Sequence, residues 1–144
     1  MKILVGVDDS KYSQDIARAI VTQRRADNTE VLVLHVLQPV GPAPPQMHQG
    51  YAPELEAERD AAKALVERVA AELRSAGFKV ETLIGVGDVR EGIIDTATDW
   101  QADLIMVGSH GLRPIQRFLL GSVSEFVVRH APCSVEIVRT PAKA

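Results

Sequence analysis

The sequence predicts an α/β fold built on a single open parallel sheet. With 144 residues, the chain is long enough to bury a substantial core in one domain, which we expect to span residues 1–144. Hydrophobic residues make up 46% of the chain and aromatic residues only 4%, so the core must be mainly aliphatic, as in parallel strands packed under helices. Strand-like and helix-like segments also alternate strictly, an order typical of parallel sheets with helices on both faces.

The first half of the chain contains two predicted strands and two predicted helices. Residues 2–7 form a short apolar run that ends at two aspartates, and residues 30–37 form a second such run. Between them, Ser10 is a candidate helix cap, and apolar residues recur at helical spacing at Ile16, Ala17, Ile20 and Val21. Residues 54–76 predict the longest helix, stopped by Gly77. Its apolar stripe consists of Leu55, Ala62, Leu65, Val66, Val69 and Leu73.

The second half continues the same alternation. We expect a third strand at 78–85, a third helix at 87–100, a fourth strand at 103–107, a fourth helix at 122–131 and a fifth strand at 133–138. Asp88 and Glu91 are placed as a capping box at the start of the third helix. Residues 38–53 hold five of the eight prolines and predict a long loop, either a lid over a ligand or a surface connection.

Charge and cysteine content exclude several classes of protein. The net charge of −3 disfavours binding to nucleic acid, which normally requires a basic face. The apolar run at the N-terminus is too short for a signal peptide or a membrane span, and Cys133 is the single cysteine. We therefore expect a cytoplasmic protein without a membrane partner, an internal disulfide or a metal site.

A glycine-rich segment follows the predicted fourth strand, where open parallel sheets bind ligands. It contains Gly108, Gly111 and Gly121, with Ser122 at the start of a helix. Glycines let backbone N–H groups approach phosphate oxygens, and a helix N-terminus adds partial positive charge, so the segment suits a polyphosphate. In the alternative interpretation, Ser122 and Glu125 form a capping box and the glycines merely turn the chain. The spacing alone leaves both open.

Five blocks of the sequence resemble the universal stress protein family, in the order that the family has them. They are ILVGVDDS, VLVLHV, GVGD, DLIMVGSHG and LLGSVSEFVVRHAPCSV. The ATP-binding subgroup of that family carries the pattern Gly-x2-Gly-x9-Gly-Ser/Thr, which this chain matches at Gly108, Gly111, Gly121 and Ser122. The resemblance implies a Rossmann-like fold of the adenine nucleotide alpha hydrolase type with strand order 3-2-1-4-5. The switch point would then lie between the first and fourth strands.

The resemblance also implies a role for individual residues. The triphosphate of ATP, with or without Mg²⁺, would lie against Gly108, His110, Gly111, Gly121, Ser122, Val123 and Ser124. Adenine and ribose would contact Gly6, Val7, Asp8, Val36 and Val107. Asp8 would be repelled by a triphosphate, so it either accepts hydrogen bonds from the sugar or base, which we favour, or holds the magnesium ion. Pro114 departs from the family pattern and removes one N–H donor from the loop.

Three functions compete on this basis. The leading one is an ATP-binding regulatory protein of the stress response, with at most slow ATP hydrolysis and no catalytic residue. The second is a weak ATPase or phosphotransferase, for which the sequence lacks a positioned base. The third is an interaction module of the same family that binds no nucleotide. Relatives commonly dimerise through the last strand, so the resemblance also implies a homodimer. We expect His35 to be a core or strand-end residue with a hydrogen-bonded ring.

Overall fold

A computed structural model of the protein describes residues 1–8, 13–38, 53–109 and 121–139. Within these ranges the chain forms five strands and four α-helices that alternate as predicted. They are β1 (Lys2–Gly6), α1 (Ser13–Gln23), β2 (Glu30–Leu37), α2 (Pro53–Ser75), β3 (Lys79–Val86), α3 (Val89–Trp100), β4 (Leu104–Gly108), α4 (Ser122–His130) and β5 (Ser134–Val138). The predicted boundaries of the strands are correct to within one residue. The candidate cap Ser10 and nearly all of the proline-rich segment lie outside the described residues.

The five strands form one sheet in the order β3-β2-β1-β4-β5, and all neighbouring strands are parallel. This confirms the order that the family resemblance implies. Strand β1 is central, with β2 on one side and β4 on the other, and the direction of strand succession reverses there. The switch point, where open α/β sheets bind ligands, therefore lies at the carboxyl ends of β1 and β4.

Each face of the sheet has its own aliphatic core, because successive side chains of a strand point to opposite faces. In β1, Ile3 and Val5 pack toward α1 and α2, whereas Leu4 packs toward α3 and α4; none of the three is exposed to solvent. The predicted stripe of α2 is confirmed at Ala62, Leu65, Val66, Val69 and Leu73, which are all buried. The side chain of Leu55 lies outside the described part of the chain. The prediction for Val21 is wrong: this residue is 38% exposed because it lies beside the buried stripe of α1 rather than in it.

Two glycines allow α3 to pack very closely on the ends of the central strands. A Cβ atom on Gly92 would lie 3.0 Å from Cγ2 of Val36, and one on Gly6 would lie 3.3 Å from Cδ1 of Ile93 in α3 and 3.2 Å from Cγ1 of Val107. A third glycine, Gly77, has a φ of +95° and ends α2, as predicted. None of the helices in the described ranges has the length and apolar composition needed to cross a membrane.

Candidate functional site

Ten of the twelve predicted site residues are described by the structure, and they gather at the switch point. At β1, Gly6 ends the strand and Val7 and Asp8 follow it. Val36 lies near the end of β2, and β4 ends with Val107 and Gly108. Helix α4 starts with Ser122, Val123 and Ser124, directly after Gly121. The remaining two, His110 and Gly111, lie outside the described residues. The segments that sequence analysis assigned to one site thus meet at the same edge of the sheet.

Helix α4 begins without a cap from any side chain of the described residues. Its N-cap residue is Gly121, which has a φ of −64° and cannot supply a capping side chain. The first backbone bond of the helix runs from the Glu125 N–H to the Gly121 carbonyl, at 2.9 Å. The interpretation of Ser122 and Glu125 as a capping box is therefore wrong, because Ser122 lies one position inside the helix and is exposed. The N–H groups of the first turn, at residues 122–124, have no partner within the helix and carry its partial positive charge.

The start of α4 is attached to the end of β4 by two hydrogen bonds. The Ser124 hydroxyl donates to the Gly108 carbonyl at 2.5 Å, and the Gly121 N–H donates to the Ser109 carbonyl at 3.1 Å. Ser124 is only 4% exposed, so its side chain is a structural tie and its backbone N–H is the group that points toward the helix N-terminus. The two ends of the glycine pattern therefore have a fixed relative position.

Sequence analysis missed Ser109, which lies between these two ties. Its N–H donates to the Val138 carbonyl at 3.0 Å, and its carbonyl accepts from Gly121. Its side chain is 4% exposed, and the hydroxyl oxygen has no hydrogen-bond partner among the described residues. Nothing in the residue pattern separates this buried serine from an exposed loop serine, because its burial depends on packing between β4, β5 and α4.

The backbone carbonyls of the two residues that follow β1 accept hydrogen bonds from side chains. The Val7 carbonyl oxygen lies 2.9 Å from Nδ1 of His35, and the Asp8 carbonyl accepts from the Ser13 hydroxyl at 2.7 Å. Because a carbonyl oxygen only accepts, Nδ1 of His35 must be the donor, which leaves Nε2 as an acceptor in the neutral ring. The prediction that the His35 ring is hydrogen-bonded is confirmed, and these contacts fix the path of the chain where it leaves the sheet.

The backbone of β2 extends past the end of the β1 ladder. The Leu34 carbonyl accepts from Val7 on the β1 side at 2.9 Å, whereas the Leu37 carbonyl accepts from Gly87 on the β3 side at 2.8 Å. Backbone groups of a strand alternate between its two neighbours, so Val36 directs its N–H and C=O toward the β1 side. The last paired residues of β1 and β2 are Gly6 and Leu34, and Val36 lies two residues beyond Leu34. Val36 thus presents a donor and an acceptor at the switch point.

Helix α3 also begins at this edge of the sheet, but it has a cap. The Asp88 carboxylate accepts from the N–H groups of Arg90 and Glu91 at 2.9 and 3.2 Å, which confirms the predicted cap at Asp88. The return bond from the Asp88 N–H to the Glu91 side chain, which would complete the predicted capping box, is not among the hydrogen bonds of the described residues. The hydrogen bond from the Glu91 N–H, together with the Arg90 side chain, lowers the pKa of Asp88. Its negative charge compensates the N-terminus of α3. Of the two helices, α4 is therefore the one whose N-terminus can accept an anion from outside the chain.

The single cysteine of the sequence lies at the amino ends of the strands, opposite to the switch point. Cys133 lies directly before β5, at its amino end, away from the switch point. Partial burial, together with the charge of Asp103, raises the pKa of the Cys133 thiol, which keeps it protonated and unreactive at neutral pH. Among the described residues, no group of three or more His, Cys, Asp or Glu side chains could hold a metal ion.

Comparison with known proteins gives the family. The family model described as the universal stress protein family matches residues 1–139. The chain belongs to the universal stress protein family. It is 27% identical to the universal stress protein Sll1388 of Synechocystis, over 96% of this chain and 97% of the relative. The resemblance found in the five sequence blocks is thereby confirmed.

Solved universal stress proteins share this fold. The universal stress protein UspA from Lactobacillus plantarum has a TM-score of 0.84 and 27% sequence identity, covering 96% of this chain and 97% of that one. A universal stress protein in complex with cAMP has a TM-score of 0.71 and 25% identity, covering 98% of both chains. The five-stranded sheet of this universal stress protein is therefore the arrangement seen in its relatives.

Proposed function

We propose that this universal stress protein binds an adenine nucleotide, ATP in particular, in the crevice between β1 and β4, and that bound ATP serves a regulatory role in the stress response. The observation that carries the proposal is the uncapped N-terminus of α4, held at the switch point by the ties to Gly108 and Ser109. A relative of the same fold was solved in complex with cAMP, which supports an adenine nucleotide as the ligand.

The phosphate groups would lie at the start of α4. Backbone N–H groups of residues 122–124 can donate to phosphate oxygens there, assisted by the helix dipole. A φ of −64° is open to any residue, so the conformation of Gly121 does not itself require glycine. We infer that glycine is needed at this position because a side chain would occupy the space of the phosphate. The exposed Ser122 hydroxyl is a further donor.

The adenine base would lie at the end of β2. The Val36 N–H can donate to N1 of adenine, and the Val36 carbonyl can accept from the N6 amino group. Guanine presents the reverse pattern, a donor at N1 and an acceptor at O6, so this pair of backbone groups favours adenine. Asp8 would accept from a ribose hydroxyl or from the base. A magnesium ion would be held mainly by the phosphates, since the described residues provide no cluster of metal ligands.

A regulatory role agrees better with the site than rapid catalysis does. Catalysis needs a general base beside the phosphates that is free to accept a proton from the attacking water. The Ser124 hydroxyl at the start of α4 donates to a backbone carbonyl, and His35, whose Nε2 remains an acceptor, lies on β2, at the proposed adenine end of the crevice. We therefore expect ATP hydrolysis to be slow at most.

The ligand is tested by acid extraction of the purified native protein, identification of any released nucleotide, and calorimetric titration with Mg-ATP. We expect an adenine nucleotide in the extract and saturable binding of Mg-ATP, both lost in Gly121→Val. The matched control is Val128→Ala, at a half-exposed position near the other end of α4. A clean extract without Mg-ATP binding would overturn the proposal in favour of a nucleotide-free module, and multiple turnovers at ordinary enzyme rates would favour an ATPase.

We also propose that the protein is a cytoplasmic homodimer that pairs through β5, an edge strand of the sheet. The Val138 carbonyl accepts from the N–H of Ser109, which directly follows β4, so by alternation Val135 directs its N–H away from β4, toward the free edge. Proline at 135 would remove an outward donor while preserving the β4–β5 ladder. Sedimentation should show a dimer for the native protein and a folded monomer for Val135→Pro. A native monomer would contradict this proposal.

A further inference from the structure

The ladder of backbone hydrogen bonds between β1 and β2 ends one bond earlier than the register of the two strands would allow. In a continued parallel ladder, the bond after Val7 N–H to Leu34 C=O would run from the Val36 N–H to the Val7 carbonyl. That bond is not among those formed by the described residues; the Val7 carbonyl oxygen instead lies 2.9 Å from Nδ1 of His35. The imidazole thus binds the same carbonyl that the Val36 N–H would use in a continued ladder.

We propose that His35 is a positioning residue that ends the β1–β2 ladder at Val7 and thereby keeps the Val36 N–H available to the base of a bound nucleotide. The inference rests on the proposed function, but the contact that carries it belongs to the protein alone. The His35 side chain and the backbone groups of Val36 act at the same strand end, although His35 itself need not touch the ligand.

The local chemistry supports this division of roles. A buried amide N–H costs free energy unless it has a partner, so a strand end normally closes its ladder. His35 is partly buried and lies opposite Ile84 of β3, where an aliphatic residue would fit the apolar α1–α2 face equally well. A histidine here adds a donor that an aliphatic residue lacks, and that donor is directed at Val7.

The proposal makes opposite predictions for two variants at this position. In His35→Leu the Val7 carbonyl is released, so it should pair with the Val36 N–H and remove the donor that reads adenine. In His35→Gln the side-chain amide can still donate to Val7, so the native arrangement should be retained. Both variants keep the phosphate end of the site unchanged.

The first measurement needs no ligand. Amide hydrogen exchange of the nucleotide-free protein, read by NMR, should show a poorly protected Val36 N–H in the native chain and in His35→Gln, and a protected one in His35→Leu. Protection of Val36 in the native protein, or unchanged exchange in His35→Leu, would overturn the proposal. This result does not depend on whether the chain binds nucleotides.

The second measurement separates the base from the phosphates. We expect the affinity of His35→Leu for ATP to fall about tenfold, the size of one lost hydrogen bond, with its preference for ATP over GTP reduced. Binding of inorganic tripolyphosphate should be unchanged. Equal losses for ATP and tripolyphosphate would indicate a general structural role and contradict the proposal. Absence of binding by the native protein would instead overturn the proposed function, while the exchange experiment would still decide the role of His35.

Discussion

The Ser124 hydroxyl in α4 donates a hydrogen bond to the Gly108 carbonyl at the end of β4, and the two residues lie 16 positions apart in the chain. This contact joins the two ends of the glycine pattern through the side chain of one buried serine. In the proposed site the Ser124 hydroxyl is therefore not offered to a ligand. The side chain holds the helix N-terminus in place, and the backbone N–H groups would bind the phosphates.

Ser124→Ala should therefore weaken both the fold and the site. Loss of the hydroxyl leaves the Gly108 carbonyl without this partner, which should lower the free energy of unfolding by about 1–3 kcal/mol. The affinity for Mg-ATP should fall several-fold because the start of α4 loses one of its two ties to β4. Urea denaturation and calorimetric titration measure the two effects. The exposed neighbour Ser122 gives the control, since Ser122→Ala should change stability by less than about 0.5 kcal/mol.

Ser109 is as deeply buried as Ser124, but we expect the opposite effect on stability when its hydroxyl is removed. Its hydroxyl lacks a hydrogen-bond partner among the described residues, so its burial is a cost rather than a benefit. Ser109→Ala should leave the free energy of unfolding unchanged or raise it by up to about 1 kcal/mol. Urea denaturation beside Ser124→Ala makes the comparison direct. A larger loss of stability for Ser109→Ala than for Ser124→Ala would mean that the Ser109 hydroxyl has a partner.

Local sequence patterns predicted the strands and helices well because these elements depend on periodic burial. Predicted segments of five to eight residues located every strand, and the stripe of α2 was correct at each described position. Val21 was misplaced because an apolar residue beside a helical stripe fits the same spacing as one within it. The strand order came from the family resemblance, since hydrophobic periodicity carries no information on which strands are neighbours.

Contacts between distant segments explain what sequence analysis missed in the site. Gly121 rather than Ser122 is the N-cap of α4. Because of this difference of one residue, the Ser122 side chain does not cap the helix and is exposed at its start. The hydrogen bond from His35 to Val7 joins two residues that are 28 positions apart in the chain. No spacing rule predicts which carbonyl a histidine in an apolar strand will contact. Such details become visible only when the register of the sheet is known.

Gly92→Ala should destabilise the protein although it replaces a glycine inside a helix. Alanine normally gains about 1 kcal/mol over glycine in a helix interior. Here the new Cβ would lie 3.0 Å from Cγ2 of Val36, a β-branched side chain with little freedom to move away. We expect a net loss of about 1 kcal/mol in the free energy of unfolding. We also expect weaker ATP binding, because Val36 carries the backbone groups that are proposed to bind adenine. Urea denaturation and titration with ATP check both effects.

A control for this substitution lies in the same helix. Thr98 is also in α3, and its hydroxyl donates a hydrogen bond to the Ile94 carbonyl of the same helix. Thr98→Ala should preserve ATP affinity, since it leaves the contact between α3 and Val36 intact. Increased stability of Gly92→Ala with unchanged ATP affinity would show that α3 can shift to make room, and that close packing on Val36 is not needed for the site.

Asp88 predicts a pH dependence of stability. The Glu91 N–H and the Arg90 side chain favour the charged carboxylate and lower its pKa in the folded protein below the unfolded value of about 3.9. A lowered folded pKa means that the stabilisation is present at neutral pH and is lost as the pH falls through the folded pKa. Asparagine is the matched variant, because it also caps helices but does not titrate. The native protein should have a Tm higher than Asp88→Asn by roughly 1–3 °C at pH 7, and the difference should shrink steadily below pH 4. Thermal unfolding followed by circular dichroism tests this, and a Tm difference that stays constant from pH 7 to the acid limit of folding would contradict a charge-dependent cap.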